Sequence, residues 1–222
     1  MKSRYDFILW DFDGTVMDSC RGIMDSVKYA AGCLGVDDPG QEVLRTFIGP
    51  PLRESFPRAF GFDEKTTEEA IDKYRQYYGA GAMYSCSLYD GVKEAVSRFR
   101  ENGILQYIAT SKPEHACRSI LERKGLEGLF DGVFGATDDG RIDTKKQVIE
   151  EAFRVLEITD KSRVVLIGDT RYDVIGAKEA GIECIGVTYG AGSRKSLEEN
   201  GAIAVFDTMP EVCAYIFLNE EQ

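Results

Sequence analysis

The chain has 222 residues, 43% hydrophobic and 29% charged, which is enough apolar material for a sizeable core and argues against a disordered tail or a fold that needs disulfides. A formal net charge of −11 argues against nucleic acid or an anionic membrane as partner, since both would be repelled over much of the surface, while a few local cations can still admit a small anion to a cleft. The six cysteines, Cys20, Cys33, Cys86, Cys117, Cys184 and Cys213, contain no C-x-x-C pair and His115 is the only histidine, so a thiol-rich zinc site is not expected.

In chain order, Met1 to Asp6 lead directly into a short apolar run with no signal-peptide core, and no stretch is long enough to span a bilayer; the expectation is a cytoplasmic protein with reduced thiols. Tyr5 to Trp10 reads as a strand and is followed by Asp11-Phe12-Asp13-Gly14-Thr15. About 70 residues of purely helical pattern then intervene, far more than a crossover needs. Ile23, Val27, Ala30, Ala31 and Leu34 form one apolar stripe at helical spacing, and Thr67 to Tyr78 reads as a second helix.

Beyond this insert, strands are expected at Ile104 to Ala109, Val164 to Ile167, Cys184 to Val187 and Ala202 to Phe206. Helical patterns cover Gly91 to Asn102, Pro113 to Lys124, Thr144 to Glu157, Tyr172 to Ala180 and Thr208 to Leu218. Such alternation implies an α/β fold, a Rossmann-like parallel sheet with helices on both faces. The core is expected over residues 1–15 and 84–222, with a small all-helical cap over 16–83 joined by linkers near Thr15 and Ser85.

Four polar clusters lie where these strands end, the edge at which open α/β sheets bind ligands. Strand alternation sends Asp11 and Asp13 to one side with Phe12 opposite, and Gly14 permits a tight turn with close backbone approach to a ligand. Thr110-Ser111-Lys112-Pro113 offers a hydroxyl and backbone N–H groups at a helix start, suited to a phosphate or simply to capping. In the helix from Thr144, the apolar face is Val148, Ile149, Ala152, Phe153 and Leu156. Lys145 projects along its middle and Lys146 toward its edge, and an inward lysine asks for an anionic partner. Gly168-Asp169-Thr170-Arg171-Tyr172-Asp173 supplies two more carboxylates, either hard ligands for a cation such as Mg2+ or helix caps.

An acid pair followed by Gly-Thr, a Thr-Ser, an inward lysine and G-D-x-x-x-D, in that order over essentially the whole chain, resembles the haloacid dehalogenase superfamily, in particular its phosphoglycolate phosphatase-like branch. The resemblance implies a Mg2+-dependent phosphatase with Asp11 as nucleophile, forming an aspartyl phosphate, and Asp13 as acid and base. It also implies phosphate contacts from Gly14, Thr110, Ser111, Lys112 and Lys145, and a metal site drawn from Asp11, Asp13 (through its carbonyl), Asp169 and Asp173, the last orienting the metal's waters.

Phe47-Ile48-Gly49-Pro50-Pro51-Leu52-Arg53 resembles the cap loop of related phosphatases, making Arg53 a candidate substrate contact. Thr144-Lys145-Lys146-Gln147 departs from the Lys-Pro-x-Pro of many relatives, which opens the question of the substrate subgroup. A small phosphorylated metabolite is expected as substrate. The alternatives are a 5'-nucleotidase, a pyrophosphatase or a phosphosugar mutase and, from another class, a phosphoaspartate switch, which would have no use for the cap. Oligomeric state is not legible.

Overall fold

The structure, a computed structural model, describes residues 3–218. It forms two compact units, one running to Met17 and resuming at Leu88, the other comprising Asp18–Ser87. The chain passes between them in two short strands, β2 (Met17–Asp18) and β3 (Ser87–Leu88), a few residues beyond the linkers expected near Thr15 and Ser85.

The first unit is a six-stranded sheet built from β1 (Phe7–Trp10), β4 (Leu105–Pro113), β5 (Gly132–Ala136), β6 (Val164–Gly168), β7 (Glu183–Val187) and β8 (Ala204–Phe206). Its order is β5-β4-β1-β6-β7-β8 and every neighbouring pair is parallel. Strand β1 is central, with Trp10 level with Ile108 of β4 and Ile167 of β6, so the three chains leave the sheet side by side.

Helices cover both faces, which is why these strands are apolar runs and not alternating ones. On one face Leu9, Ala109 and Leu166 pack under α7 (Lys145–Val155) and α8 (Arg171–Ala180), with Leu197 of α9 (Arg194–Asn200) alongside. On the other, the Trp10 ring lies 6.1 Å from Phe99 of α5 (Val92–Glu101) and 6.0 Å from Phe130, and Phe99 meets Phe217 of α10 (Met209–Leu218). Helix α6 (Glu114–Lys124) completes the unit beside β4 and β5.

Two elements of this unit were not expected from the pattern. Strand β5, Gly-Val-Phe-Gly-Ala, carries two residues of poor strand propensity and is held in place by pairing with β4. Helix α9 is short and polar, with Leu197 its one buried residue. The structure also moves a boundary: β4 runs through Thr110 to Pro113 and α6 starts at Glu114, because a residue before proline is pushed out of the helical region.

The second unit is all helical: α1 (Cys20–Cys33), α2 (Gly40–Arg45), α3 (Leu52–Phe60), α4 (Glu64–Gly79) and a 3₁₀ turn at Ala82–Tyr84. Its core joins Ile23, Val27 and Ala30 of α1 to Ile71, Tyr74 and Tyr78 of α4 around a group of phenylalanines. Phe56, fully buried, meets Phe47 at 5.0 Å and Phe60 and Phe62 at 6.2 Å. Asp63 caps α4 by accepting from the Thr66 amide at 2.8 Å. Replacing Phe56 with Ala removes the ring on which the others pack and is expected to destabilise this unit by about 3–5 kcal/mol, read as a lowered urea midpoint.

Candidate active site

The site is built where β1, β4 and β6 end. The Asp11 amide extends the ladder by donating to the Ile167 carbonyl at 2.9 Å, which fixes where the first carboxylate leaves the sheet. A tight turn follows, in which Val16 and Met17 both donate to the Phe12 carbonyl, at 3.0 and 2.8 Å. Gly14 has φ +90°, and a Cβ there would run into the Asp169 carboxylate. Only glycine meets both demands.

Lys145 enters from the first turn of α7. Thr144 caps that helix, accepting from the Gln147 amide while Gln147 reaches back to the Thr144 amide, so the position of Lys145 is set by a capping box. Its ammonium donates to Asp11 Oδ1 at 2.5 Å and to the Ala109 carbonyl at 2.9 Å, and lies 2.8 Å from Asp173 Oδ1. The neighbouring Lys146 is half-buried and pairs with Glu150 at 3.4 Å. Close packing of α7 on α8 makes this possible: a Cβ on Gly176 would stand 2.6 Å from the Lys145 Cβ and Cγ.

Asp169 and Asp173 flank the start of α8. Asp169 is fully buried and accepts from the Ala191 amide at 2.7 Å and the Thr15 hydroxyl at 3.3 Å. Neither acid is the N-cap; that residue is Thr170, whose amide and hydroxyl both donate to Asp173 Oδ2 at 2.9 Å. Asp173 therefore closes a capping box with one oxygen and meets Lys145 with the other. The loop after β7 was not singled out in the sequence, although Gly190-Ala191-Gly192 after a strand was a visible signal. Cβ atoms on Gly190 or Gly192 would collide with Asp169, and the Tyr189 hydroxyl donates to the Thr15 carbonyl at 2.9 Å.

The other sequence candidates divide. Thr110 is buried at the end of the regular part of β4 and its hydroxyl accepts from the Lys112 amide at 3.2 Å; Ser111 is exposed. The Lys112 ammonium lies against the Asp13 carboxylate, 2.9 and 3.0 Å from its oxygens. Arg53 belongs to the helical unit, where its guanidinium bonds Glu68 of α4 at 2.7 and 3.1 Å on an exposed surface.

Electrostatically the site holds more acid than base. One carboxylate oxygen from each of Asp11, Asp169 and Asp173 lies within 4.8 Å of the others, and all three residues are buried. Burial, Asp173 and Asp13 push Asp11 up to about 6 although Lys145 pulls it down. Asp169 is raised well above the ordinary carboxylate range by burial and by Asp173 and Asp11, against the pull of the Ala191 amide and Lys145. Burial alone would lower the Lys145 ammonium, but Asp11 and Asp173 outweigh it and hold the charge. Shared between two acids, Lys145 cannot balance three. A cluster of hard oxygen donors with unbalanced negative charge fits a divalent cation.

Comparison with known proteins agrees with this geometry. Residues 8–187 match the family described as haloacid dehalogenase-like hydrolase. A 5'-nucleotidase of Pseudomonas aeruginosa is 36% identical over 194 residues, 87% of this chain and 87% of that protein. The tyrosine-protein kinase PtkA of Mycobacterium tuberculosis is 34% identical over 198 residues, 89% of this chain and 67% of that protein. A predicted phosphatase from Clostridium acetobutylicum superposes with a TM-score of 0.91 at 38% identity, over 96% of this chain and 99% of that one. The class so defined is that of phosphoric monoester hydrolases. The chain belongs to the haloacid dehalogenase-like hydrolases. No helix among the described residues is long and apolar enough to cross a membrane.

Replacing Lys145 with Met strips the cation from a buried cluster of three acids and is expected to lower stability by about 3–5 kcal/mol at pH 7.5. The acids then rise further, so the folded protein binds protons that the unfolded chain has released. The loss is complete above the folded-state values and shrinks as pH falls toward the ordinary carboxylate range. Urea melts of the metal-free proteins at pH 7.5 and 5.5 should show the smaller difference at pH 5.5.

Proposed function

We propose that the protein is a Mg2+-dependent phosphatase that hydrolyses a small phosphate monoester through an aspartyl phosphate on Asp11. The observation that carries this reading is the buried contact of Lys145 with Asp11, within a cluster of acids and two residues before Asp13. A nucleophile held by one ammonium at a sheet's carboxyl edge suits a reaction that consists mainly of positioning and of stabilising charge on transferring oxygens.

Asp11 attacks phosphorus in line as the ester P–O bond breaks, and Asp13 gives a proton to the departing oxygen. Water then attacks the aspartyl phosphate while Asp13 takes up its proton, returning both acids to their starting state. Lys145 fixes the Asp11 carboxylate and sets positive charge beside the equatorial oxygens, to which the Thr110 hydroxyl offers a donor. The Asp11 and Asp169 carboxylates and the Asp13 carbonyl would hold Mg2+, which when bound supplies the positive charge that lets one anion approach another. Asp173 orients the cation's surroundings from its fixed place on α8 and Lys145.

The 36% identity to a Pseudomonas protein named 5'-nucleotidase supports testing nucleoside 5'-monophosphates first, with phosphoglycolate, pyrophosphate and sugar phosphates beside them. Phosphate release over such a panel with Mg2+ should find one strongly preferred compound. Asp11→Asn should abolish that release while circular dichroism stays unchanged; substantial Mg2+-dependent turnover in this variant would remove Asp11 as nucleophile. Transfer of the phosphoryl group to a protein tyrosine or a sugar, with no phosphate released, would replace hydrolysis with another acceptor.

Cation binding should depend on pH with a predictable sign. Asp11 lies near 6 in the folded chain and Asp169 is also raised, so protons compete with Mg2+ at low pH and compete less as pH rises through these values. At free Mg2+ about a hundred times its Kd, linkage contributes about 2.7 kcal/mol. The rise in Tm on adding Mg2+ should thus be larger at pH 7.5 than at pH 5.

A further inference from the structure

We infer that Lys112 is a positioning residue for the acid-base step, acting on Asp13 and not on the substrate phosphate. The inference rests on the reading of Asp13 as the group that protonates the leaving oxygen. The Lys112 ammonium lies 2.9 Å from one Asp13 oxygen and 3.0 Å from the other, so it spans both ends of the carboxylate. Its side chain is 5% exposed and that of Asp13 is 18% exposed. The lysine is therefore the inner partner, and Asp13 the one with access to solvent.

The backbone is arranged to make this contact. In β4 the register shifts between Thr110 and Pro113, and across that irregularity Thr110 and Lys112 are buried while Ser111 is exposed. The Thr110 hydroxyl accepts from the Lys112 amide at 3.2 Å, which ties the lysine to the residue next to the reaction centre. The Phe12 ring lies 5.7 Å from the ammonium. Strand β5 can follow this distorted stretch only because residue 135 is glycine: a Cβ there would stand 2.8 Å from the Lys112 carbonyl and 2.7 Å from the Glu114 amide nitrogen.

A carboxyl group transfers its proton efficiently only when one oxygen faces the receiving atom. A buried ammonium that touches both Asp13 oxygens fixes the plane of the carboxylate, and with it the direction of the oxygen that faces the ester. In the first step that oxygen gives its proton to the leaving group as the P–O bond breaks and the Asp11–phosphorus bond forms. In the second it receives a proton from the attacking water as that bond is cleaved, so protons balance over the cycle and Lys112 keeps its own throughout.

The test separates this role from phosphate binding and from structural support. An alkanol leaves with difficulty unless protonated, whereas nitrophenol leaves unaided, and kcat/KM covers the steps up to that departure. Lys112→Met and Lys112→Gln are compared with wild type on an alkyl phosphate and on p-nitrophenyl phosphate, with Asp13→Asn as reference and circular dichroism as the check on folding. Full proton transfer is worth about 10²- to 10⁴-fold, so loss of its alignment should lower kcat/KM on the alkyl ester by about 10- to 100-fold and on the nitrophenyl ester by less than about threefold.

An equal loss on the two esters in both folded variants, or no loss on either, overturns the inference; the equal loss would return Lys112 to the phosphate. If Asp13→Asn shows the unequal loss and the Lys112 variants do not, Lys112 alone is wrong. If Asp13→Asn itself loses equally on both esters, the acid role of Asp13 falls and takes the inference with it.

Discussion

The Lys145 ammonium between Asp11 and Asp173 is the contact around which the first unit is organised. It joins the last turn of the central strand to the starts of α7 and α8, and it does so inside the protein, where an unpaired charge would be strongly destabilising. A single cation against three buried acids leaves the site short of positive charge. That imbalance is a poor arrangement for stability and a good one for holding a divalent ion beside an anionic substrate.

Rigid surroundings keep so crowded a cluster in order. Asp169 takes an amide from the loop after β7 and a hydroxyl from Thr15, and Asp173 is locked by the helix it caps. Glycines at 14, 190 and 192 let backbone close around Asp169, and Gly176 lets α8 lie against the stem of Lys145. Each position would clash with a side chain one atom larger. The geometry of the cluster is thus set by packing at the sheet's edge, with loops fixed by the polar groups they meet.

Much of the fold was legible because it depends on local pattern. Apolar runs such as Phe7–Trp10 and Val164–Gly168 are long enough to be strands buried on both faces, and alternation with amphipathic helices leads to a parallel sheet. Lys145 could be told from Lys146 by helical periodicity, since the apolar face of α7 is continuous. Strand β5 was hidden because its two glycines weaken strand propensity, one of them present for the closeness of its neighbour and not for its own conformation. The start of α6 was misplaced by treating Pro113 as the first helical residue, when the proline instead holds Lys112 in extended backbone.

What the sequence by itself determined, then, is which residue types stand at the strand ends and which way each faces, since these follow from short-range periodicity and turn chemistry. The tertiary structure alone decided which of them touch. Lys112 meets Asp13 across 99 residues of chain and Lys145 meets Asp11 across 134, and Asp169 is bonded by the amide of Ala191, in a glycine-flanked loop whose partner the sequence does not name. Partner choice of this kind depends on strand order, a register shift and the room left by glycines, and those emerge only when distant segments pack together.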